Sequence, residues 1–157
     1  MTEHSQQTPV IDIERRKRWM GAFAKARLDQ LEASWEQLAD KPGYDFIKRP
    51  EIGQVMVRAR MGGVGRQFNL GEMTMSRCVV RLADGTMGFG YTSDNNRRHA
   101  ELAAIYDALM QDGERRKQLE PIILQPLVQA EERHKCREAV QTASTKVDFF
   151  TMVRGDD

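Results

Sequence analysis

One stretch of the chain is dense in arginine and glycine: "RARMGGVGRQFNLGEMTMSRCVVRL", from Arg58 to Leu82. Glycine allows a backbone to approach a ligand closely, and guanidinium groups bind phosphate or phosphonate oxygens through paired hydrogen bonds. The combination is typical of an oxyanion site. The residues that would form it are Arg60, Gly62, Gly63, Arg66, Arg77 and Arg81.

The common phosphate-binding motifs do not match this stretch. A Walker loop needs Lys followed by Ser or Thr after its glycines, and no such pair follows here. The motif G-x-G-x-x-G fails because Phe68 stands where the third glycine would follow Gly63 and Gly65. A glycine-rich connection between two strands, with the arginines paired to carboxylates such as Glu72, is therefore the alternative interpretation.

Arg97 and His99 are two further candidates for binding phosphate or phosphonate, since they fall beside Arg98 in the first turn of a predicted helix. Free backbone N–H groups and the positive end of the helix dipole favour an anion there. The alternative is a partly buried histidine that caps its neighbours. The sequence predicts no catalytic residue, no metal site and no cofactor bound by this chain.

Composition restricts the class of protein. The 157 residues include 24 Lys and Arg against 23 Asp and Glu, a net charge of +1, which lacks the basic excess of a nucleic-acid binder. Two cysteines indicate a reducing compartment. No signal peptide and no apolar run long enough to span a bilayer is found. We therefore expect a cytoplasmic protein without nucleic-acid or membrane partners.

Elements that would position these residues follow from apolar spacing. Helical spacing runs from Asp12 to Ala39, with a break expected near 26–28. The segment "YDFIK" predicts a short strand, "RPEIG" a turn, and "QVMVRARM" a second strand.

A hairpin is predicted in "TMSRCVVRLADGTMGFGYT", with a two-residue turn at Asp84-Gly85. This turn puts Gly88 and Gly90 on the face opposite the apolar one. Because glycine weakens a strand unless something must approach closely, we expect a helix or a partner backbone to pack over both glycines. The predicted apolar pairs are Leu82 with Met87, Val80 with Phe89, and Cys78 with Tyr91.

Two more helices and a last strand complete the prediction. One helix lies in "SDNNRRHAELAAIYDALMQDG" and buries Leu102, Ile105, Tyr106 and Leu109; another covers about 122–143, with an early bend at Pro126. The final segment "KVDFFTMVRGDD" has apolar residues on both faces and predicts a strand that a partner subunit covers on one side. The predicted interface residues are Phe149, Phe150, Met152 and Arg154.

These elements predict an α+β fold with an antiparallel sheet of four or five strands. Helices lie at the N-terminus, and a helix pair precedes the final C-terminal strand. Residues 1–10 are predicted to be a disordered tail, and 11–157 a single domain.

Three segments resemble the G subunit of the bacterial carbon–phosphorus lyase system, the PhnG family: "RARMGGVGRQFNLGEMTMSRCVVRLADGTMGFGY", "HAELAAIYDALMQ" and "VDFFTMVRGD". The resemblance runs in order from Trp19 to Asp157. Family members commonly carry Gly-Arg-Asp before the His-Ala-Glu helix start, where this chain has Asp94, Asn95 and Asn96. A ligand role of that family arginine is therefore not carried over to this chain.

The resemblance implies an obligate subunit, non-catalytic or co-catalytic, of a core complex with the H, I and J subunits. With H, I and the L subunit, it would support displacement of adenine from ATP by an alkylphosphonate, which gives a ribose 1-phosphonate 5-triphosphate. ATP would be a substrate of the complex, namely alpha-D-ribose 1-methylphosphonate 5-triphosphate synthase. Two alternatives stay open: a stand-alone phosphate- or nucleotide-binding enzyme that uses the arginines, and a purely structural adaptor.

Overall fold

The computed structural model describes residues 12–144 of the chain. Within this range the fold is α+β, as predicted, with one antiparallel sheet in the strand order β1-β2-β3. The strands are β1 (Tyr44–Arg60), β2 (Gln67–Leu82) and β3 (Met87–Thr92). The helices are α1 (Ile13–Lys25), α2 (Leu28–Gln37), α3 (Arg97–Gln111), α4 (Gly113–Leu119) and α5 (Gln125–Ser144).

The predicted break in the N-terminal helix is confirmed. Helix α1 begins after Asp12, whose carboxylate accepts hydrogen bonds from the Glu14 and Arg15 N–H groups. It ends at Ala26, where the backbone becomes extended, and α2 starts two residues later. The break lets both Trp19 of α1 and Trp35 of α2 pack into the core.

The predicted turn at "RPEIG" is wrong. The chain continues as a strand through Pro50, so that two predicted strands form the single 17-residue strand β1. Register shifts against β2 occur between Phe46 and Lys48 and between Lys48 and Glu51. Proline is tolerated there because β1 is the outer strand of the sheet and the ladder is already irregular. This merger reduces the predicted four or five strands to three in the described residues; the predicted C-terminal strand lies outside them.

The predicted register of the β2–β3 hairpin is also wrong, by one residue. Val80 lies opposite Gly88 rather than Phe89, and Cys78 lies opposite Gly90 rather than Tyr91. The Leu82 N–H donates to the Thr86 carbonyl, so the loop has three residues and ends at Gly85, whose φ is 90°. A left-handed glycine closing a three-residue loop replaces the expected two-residue turn. The corrected pairs of the other apolar residues are Arg81 with Met87, Val79 with Phe89, and Arg77 with Tyr91.

The predicted close packing over the hairpin glycines is confirmed, and helix α3 provides it. A Cβ atom at Gly88 would lie 2.0 Å from the Ala104 carbonyl oxygen, and one at Gly90 would lie 2.0 Å from the Ala100 carbonyl oxygen. With the corrected register, both glycines share a sheet face with the buried Cys78 and Val80. The helix therefore rests directly on the backbone of β3.

Helix α3 is the centre of the core and is buried on nearly all sides. The predicted stripe is confirmed, since Leu102, Ile105, Tyr106 and Leu109 are all buried. Its one buried carboxylate, Asp107, accepts hydrogen bonds from Arg16 Nη2 at 2.7 Å, Trp19 Nε1 at 2.9 Å and the Phe89 N–H at 3.0 Å. This carboxylate links α1, α3 and β3.

The C-terminal helical segments contribute Leu119, Ile123, Leu124 and Leu127 to this core. Helix α4 starts at Gly113, and a π-helical turn, Glu120–Leu124, joins it to α5. Leu127 is the last buried residue of α5 in the described range, and the helix continues for about 25 Å beyond it to Ser144. Among residues 12–144, no helix is both long and apolar enough to cross a membrane.

The contact between β3 and α3 gives a first prediction. Gly88→Ala should lower the free energy of unfolding by about 3 kcal/mol, because its new methyl group overlaps the Ala104 carbonyl and α3 must move outward. Gly53→Ala in β1 is the matched control, since a Cβ there meets nothing within 4 Å. Urea unfolding monitored by circular dichroism measures both. Equal stability of the two variants would contradict this account of the core.

Candidate functional site: an exposed hairpin arm

Strands β1 and β2 are much longer than the core beneath them. Strand β3 pairs with β2 only from Ser76 to Arg81, so residues 52–75 form a two-stranded ribbon beyond the three-stranded part of the sheet. No residue of this ribbon is buried. We call residues 52–75 the arm; at about 3.3 Å per residue, its nine-residue strand from Ile52 to Arg60 extends roughly 30 Å.

The arm carries apolar side chains on both faces. Residues directly opposite each other project to the same side, so Val55 with Met73 and Ala59 with Phe68 share one face. Phe68 and Met73 are 43% and 37% exposed there. The other face, which continues from the buried Ser76 below α3, carries Met56, and its side chain is 51% exposed.

The tip of the arm combines glycine and arginine, as the sequence indicated. Gly62 and Gly63 have φ values of 60° and 82°, which favour glycine because other residues are strained there. Arg60 Nη1 donates to the Gly65 carbonyl at 3.3 Å. The arginines Arg58, Arg60 and Arg66 have no ion-pair partner among residues 12–144.

The structure does not bring the six predicted oxyanion residues together. Arg77 and Arg81 lie at the core end of β2, about 33 Å or more from the tip at roughly 3.3 Å per residue. Arg77 Nε is paired with the Glu51 carboxylate across the β1–β2 ladder. Arg81 is exposed on the same side of β2 as Arg77. The expected convergence is wrong within this chain, because a continuous strand separates the two pairs; phosphonate binding by any of these residues stays a prediction.

His99 lies inside the fold rather than facing an anion. Its side chain is 5% exposed, and both ring nitrogens are engaged: Nδ1 lies 2.6 Å from Asp94 Oδ2, and Nε2 lies 2.9 Å from the Phe23 carbonyl oxygen. Both neighbouring oxygen atoms are within hydrogen-bonding distance of the ring. His99 joins the start of α3 to α1 and leaves no ring nitrogen for a ligand.

Asp94 completes this link. Burial acts to raise its pKa, but hydrogen bonds from His99, the Thr92 hydroxyl and the Asn96 N–H outweigh burial and lower the pKa below its usual value. Asn96 in turn caps α3, accepting from the Arg98 and His99 N–H groups. The Asp94-Asn95-Asn96 turn therefore builds the helix start.

The arginines next to His99 have separate positions. Arg97 is exposed, whereas Arg98 pairs with Glu101 at 3.0 Å. Glu101 also accepts a hydrogen bond of 2.5 Å from the Tyr44 hydroxyl. Burial, and then this hydrogen bond, raise the pKa of Tyr44 to about 12. These contacts hold the start of β1 against α3.

Comparison with known proteins identifies the family. The family "Phosphonate metabolism protein PhnG" matches residues 14–155. The chain belongs to the PhnG family. A relative from Rhizobium meliloti (strain 1021) is 44% identical over 159 residues, covering the whole of both chains. That relative is named "Alpha-D-ribose 1-methylphosphonate 5-triphosphate synthase subunit PhnG".

Two groups of residues named in the sequence analysis lie outside the described part of the chain. The interface residues Phe149, Phe150, Met152 and Arg154 lie outside the described residues, as does the predicted tail at 1–10. The predicted turn at "RPEIG" would end the first strand there, so the sequence analysis does not predict the arm. The sequence does contain a signal for the arm. Apolar residues alternate with polar or longer side chains from Val55 to Ala59, and no predicted core element covers their face.

The Asp94 link predicts a specific pH dependence. Asp94→Asn should lower the free energy of unfolding by roughly 2 kcal/mol near neutral pH, because charged hydrogen bonds are lost. A carboxyl group with a lowered folded-state pKa contributes stability above its unfolded pKa of about 3.9 and loses it as pH falls through the folded value. The difference between wild type and variant should therefore shrink below about pH 4.

Urea unfolding from pH 3 to pH 7 measures this difference. Asp45→Asn in β1 is a control for charge removal at an exposed carboxyl group. A difference between Asp94→Asn and wild type that stays constant over the whole range would contradict the assignment.

Proposed function

We propose that this chain is an obligate subunit of ribose 1-methylphosphonate 5-triphosphate synthase in phosphonate catabolism. Family membership and the full-length similarity to a synthase subunit support the pathway. The exposed arm is the structural observation that carries the subunit role, since its apolar side chains have no cover among residues 12–144. Soluble monomers rarely expose contiguous apolar surface of this extent.

The reaction we assign to the assembled complex is the displacement of adenine from ATP by an alkylphosphonate. In this proposal ATP is a substrate of the complex, and this chain acts in assembly rather than in catalysis. The proposed partners in the cytoplasm are the H, I and J subunits, with the L subunit acting functionally beside them. These partners follow from the resemblance of the sequence to the G subunit.

A stand-alone enzyme built on the arginines has less support. The guanidinium groups at the tip of the arm and those at the core end of β2 are separated by most of that strand. His99, the other candidate, has both ring nitrogens occupied. One shared oxyanion site within this chain would need these groups close together.

The subunit role predicts that the purified chain lacks activity by itself. Incubation with ATP and methylphosphonate should release no adenine, as measured by chromatography, whereas the chain co-expressed with the other subunits should support release. Turnover by the isolated chain at the rate of the complex would overturn the proposal. The complex reconstituted without this chain is the second control, and full activity there would also overturn it.

We also propose that the segment from Lys146 to Asp157 contributes to the interface, through Phe149, Phe150, Met152 and Arg154. The part of α5 after Leu127 has no buried residue in the described range. Each apolar side chain of the segment that becomes covered would contribute about 1.5–3 kcal/mol.

Deletion of residues 146–157 should therefore abolish co-purification with the I subunit. The matched control removes only residues 155–157, which keeps all four proposed interface residues. Affinity purification of co-expressed subunits measures the effect. A truncated chain that still assembles into an active complex would contradict the proposed role of the segment.

A further inference from the structure

The arm has the features of an inserted element rather than of a surface patch. Met56 and Ile52 project from one face, and Phe68 and Met73 from the other. All four side chains are between 37% and 51% exposed. A flat partner surface can cover only one face of a ribbon, so burial of both requires a cleft.

The backbone edges of the arm support the same conclusion. Close to the core, β1 carries Lys48, Arg49 and Pro50, which are typical of a protected edge strand. The arm has neither Lys nor Pro, and no strand among residues 12–144 lies on the outer side of β2 from Gln67 to Met75. Exposed edges of this kind aggregate or pair unless another surface covers them.

The charge of the arm indicates the chemistry of the partner surface that would bind it. Arg58, Arg60 and Arg66 lie at or next to the tip, and Glu72 is the arm's only acidic residue. Because these guanidinium groups have no carboxylate partner among residues 12–144, a complementary surface would supply carboxylates at the far end of the arm. About two dozen residues form the arm, which corresponds to one side of a standard interface.

We propose that the arm inserts into a cleft of another subunit of the synthase, with apolar walls and with carboxylates at its inner end. The walls cover Met56 on one face and Phe68 and Met73 on the other. The carboxylates pair with the arginines of the tip. This inference rests on the proposed function, because it takes the partner to be a synthase subunit.

The test is co-purification of the full chain with the other synthase subunits. The double variant Phe68→Asp with Met73→Asp should reduce the co-purified fraction about tenfold or more, since it places charge in the apolar cleft. The triple variant Arg58→Glu, Arg60→Glu, Arg66→Glu should reduce it as well, and the triple Lys variant should restore most of it. The control Ile13→Asp with Ile122→Asp alters exposed apolar residues outside the arm and should assemble normally.

A crosslinking measurement makes the result independent of variant folding. A photoreactive p-benzoylphenylalanine at Val64, which is 91% exposed at the tip, should crosslink to another subunit in the assembled complex. The same group at Ile122 should not. Failure of the wild-type chain to co-purify with any synthase subunit would overturn the proposed function; normal assembly of the arm variants beside an assembling wild type would overturn the arm alone.

Two other outcomes would show that the arm binds a different molecule, and either one would overturn the inference. One is a purified wild-type chain that is a dimer by light scattering while the Phe68→Asp, Met73→Asp variant is a monomer. The other is binding of inorganic tripolyphosphate that depends on the three arginines, with assembly unchanged when they are replaced by Glu.

Discussion

The fold depends on the close approach of α3 to the backbone of β3. Gly88 and Gly90 leave room for the Ala104 and Ala100 carbonyls at a distance that no side chain permits. This contact requires the glycines on the buried face, so it selects the hairpin register in which Val80 faces Gly88. A shift by one residue would turn Phe89 toward the helix and push α3 away from the sheet.

The buried Asp107 carboxylate fixes the position of α1 and β3 relative to α3. It accepts hydrogen bonds from Arg16, from the Trp19 indole and from the Phe89 N–H, and so holds α1 and the edge of β3 against α3 at one point. Removing one partner of such a buried pair typically costs about 3–5 kcal/mol. A similar link is made by His99, within the first turn of α3, which joins Asp94 to the Phe23 carbonyl.

Sequence patterns correctly predict the features that depend on residues close together in the chain. The break near Ala26, the buried stripe of α3 and the helix over Gly88 and Gly90 all follow from spacing and capping. The hairpin register does not, because Asp84-Gly85 suits a two-residue turn as well as the three-residue loop that forms. The convergence of the arginines failed for a related reason: alternation fixes the face of a strand but not the distance along it, and β1 continues through Pro50.

The two ends of the β1–β2 hairpin lie in different environments. At the core end, α3 covers one face, and Cys78 and Val80 are fully buried. In the arm the same two strands have no covering helix in the described part of the chain, yet they keep apolar residues such as Val57 and Phe68. A two-stranded ribbon is at best marginally stable in water, so in the proposed assembly the arm would gain stability from a partner surface. Its apolar content is therefore better explained by assembly than by folding of the isolated chain.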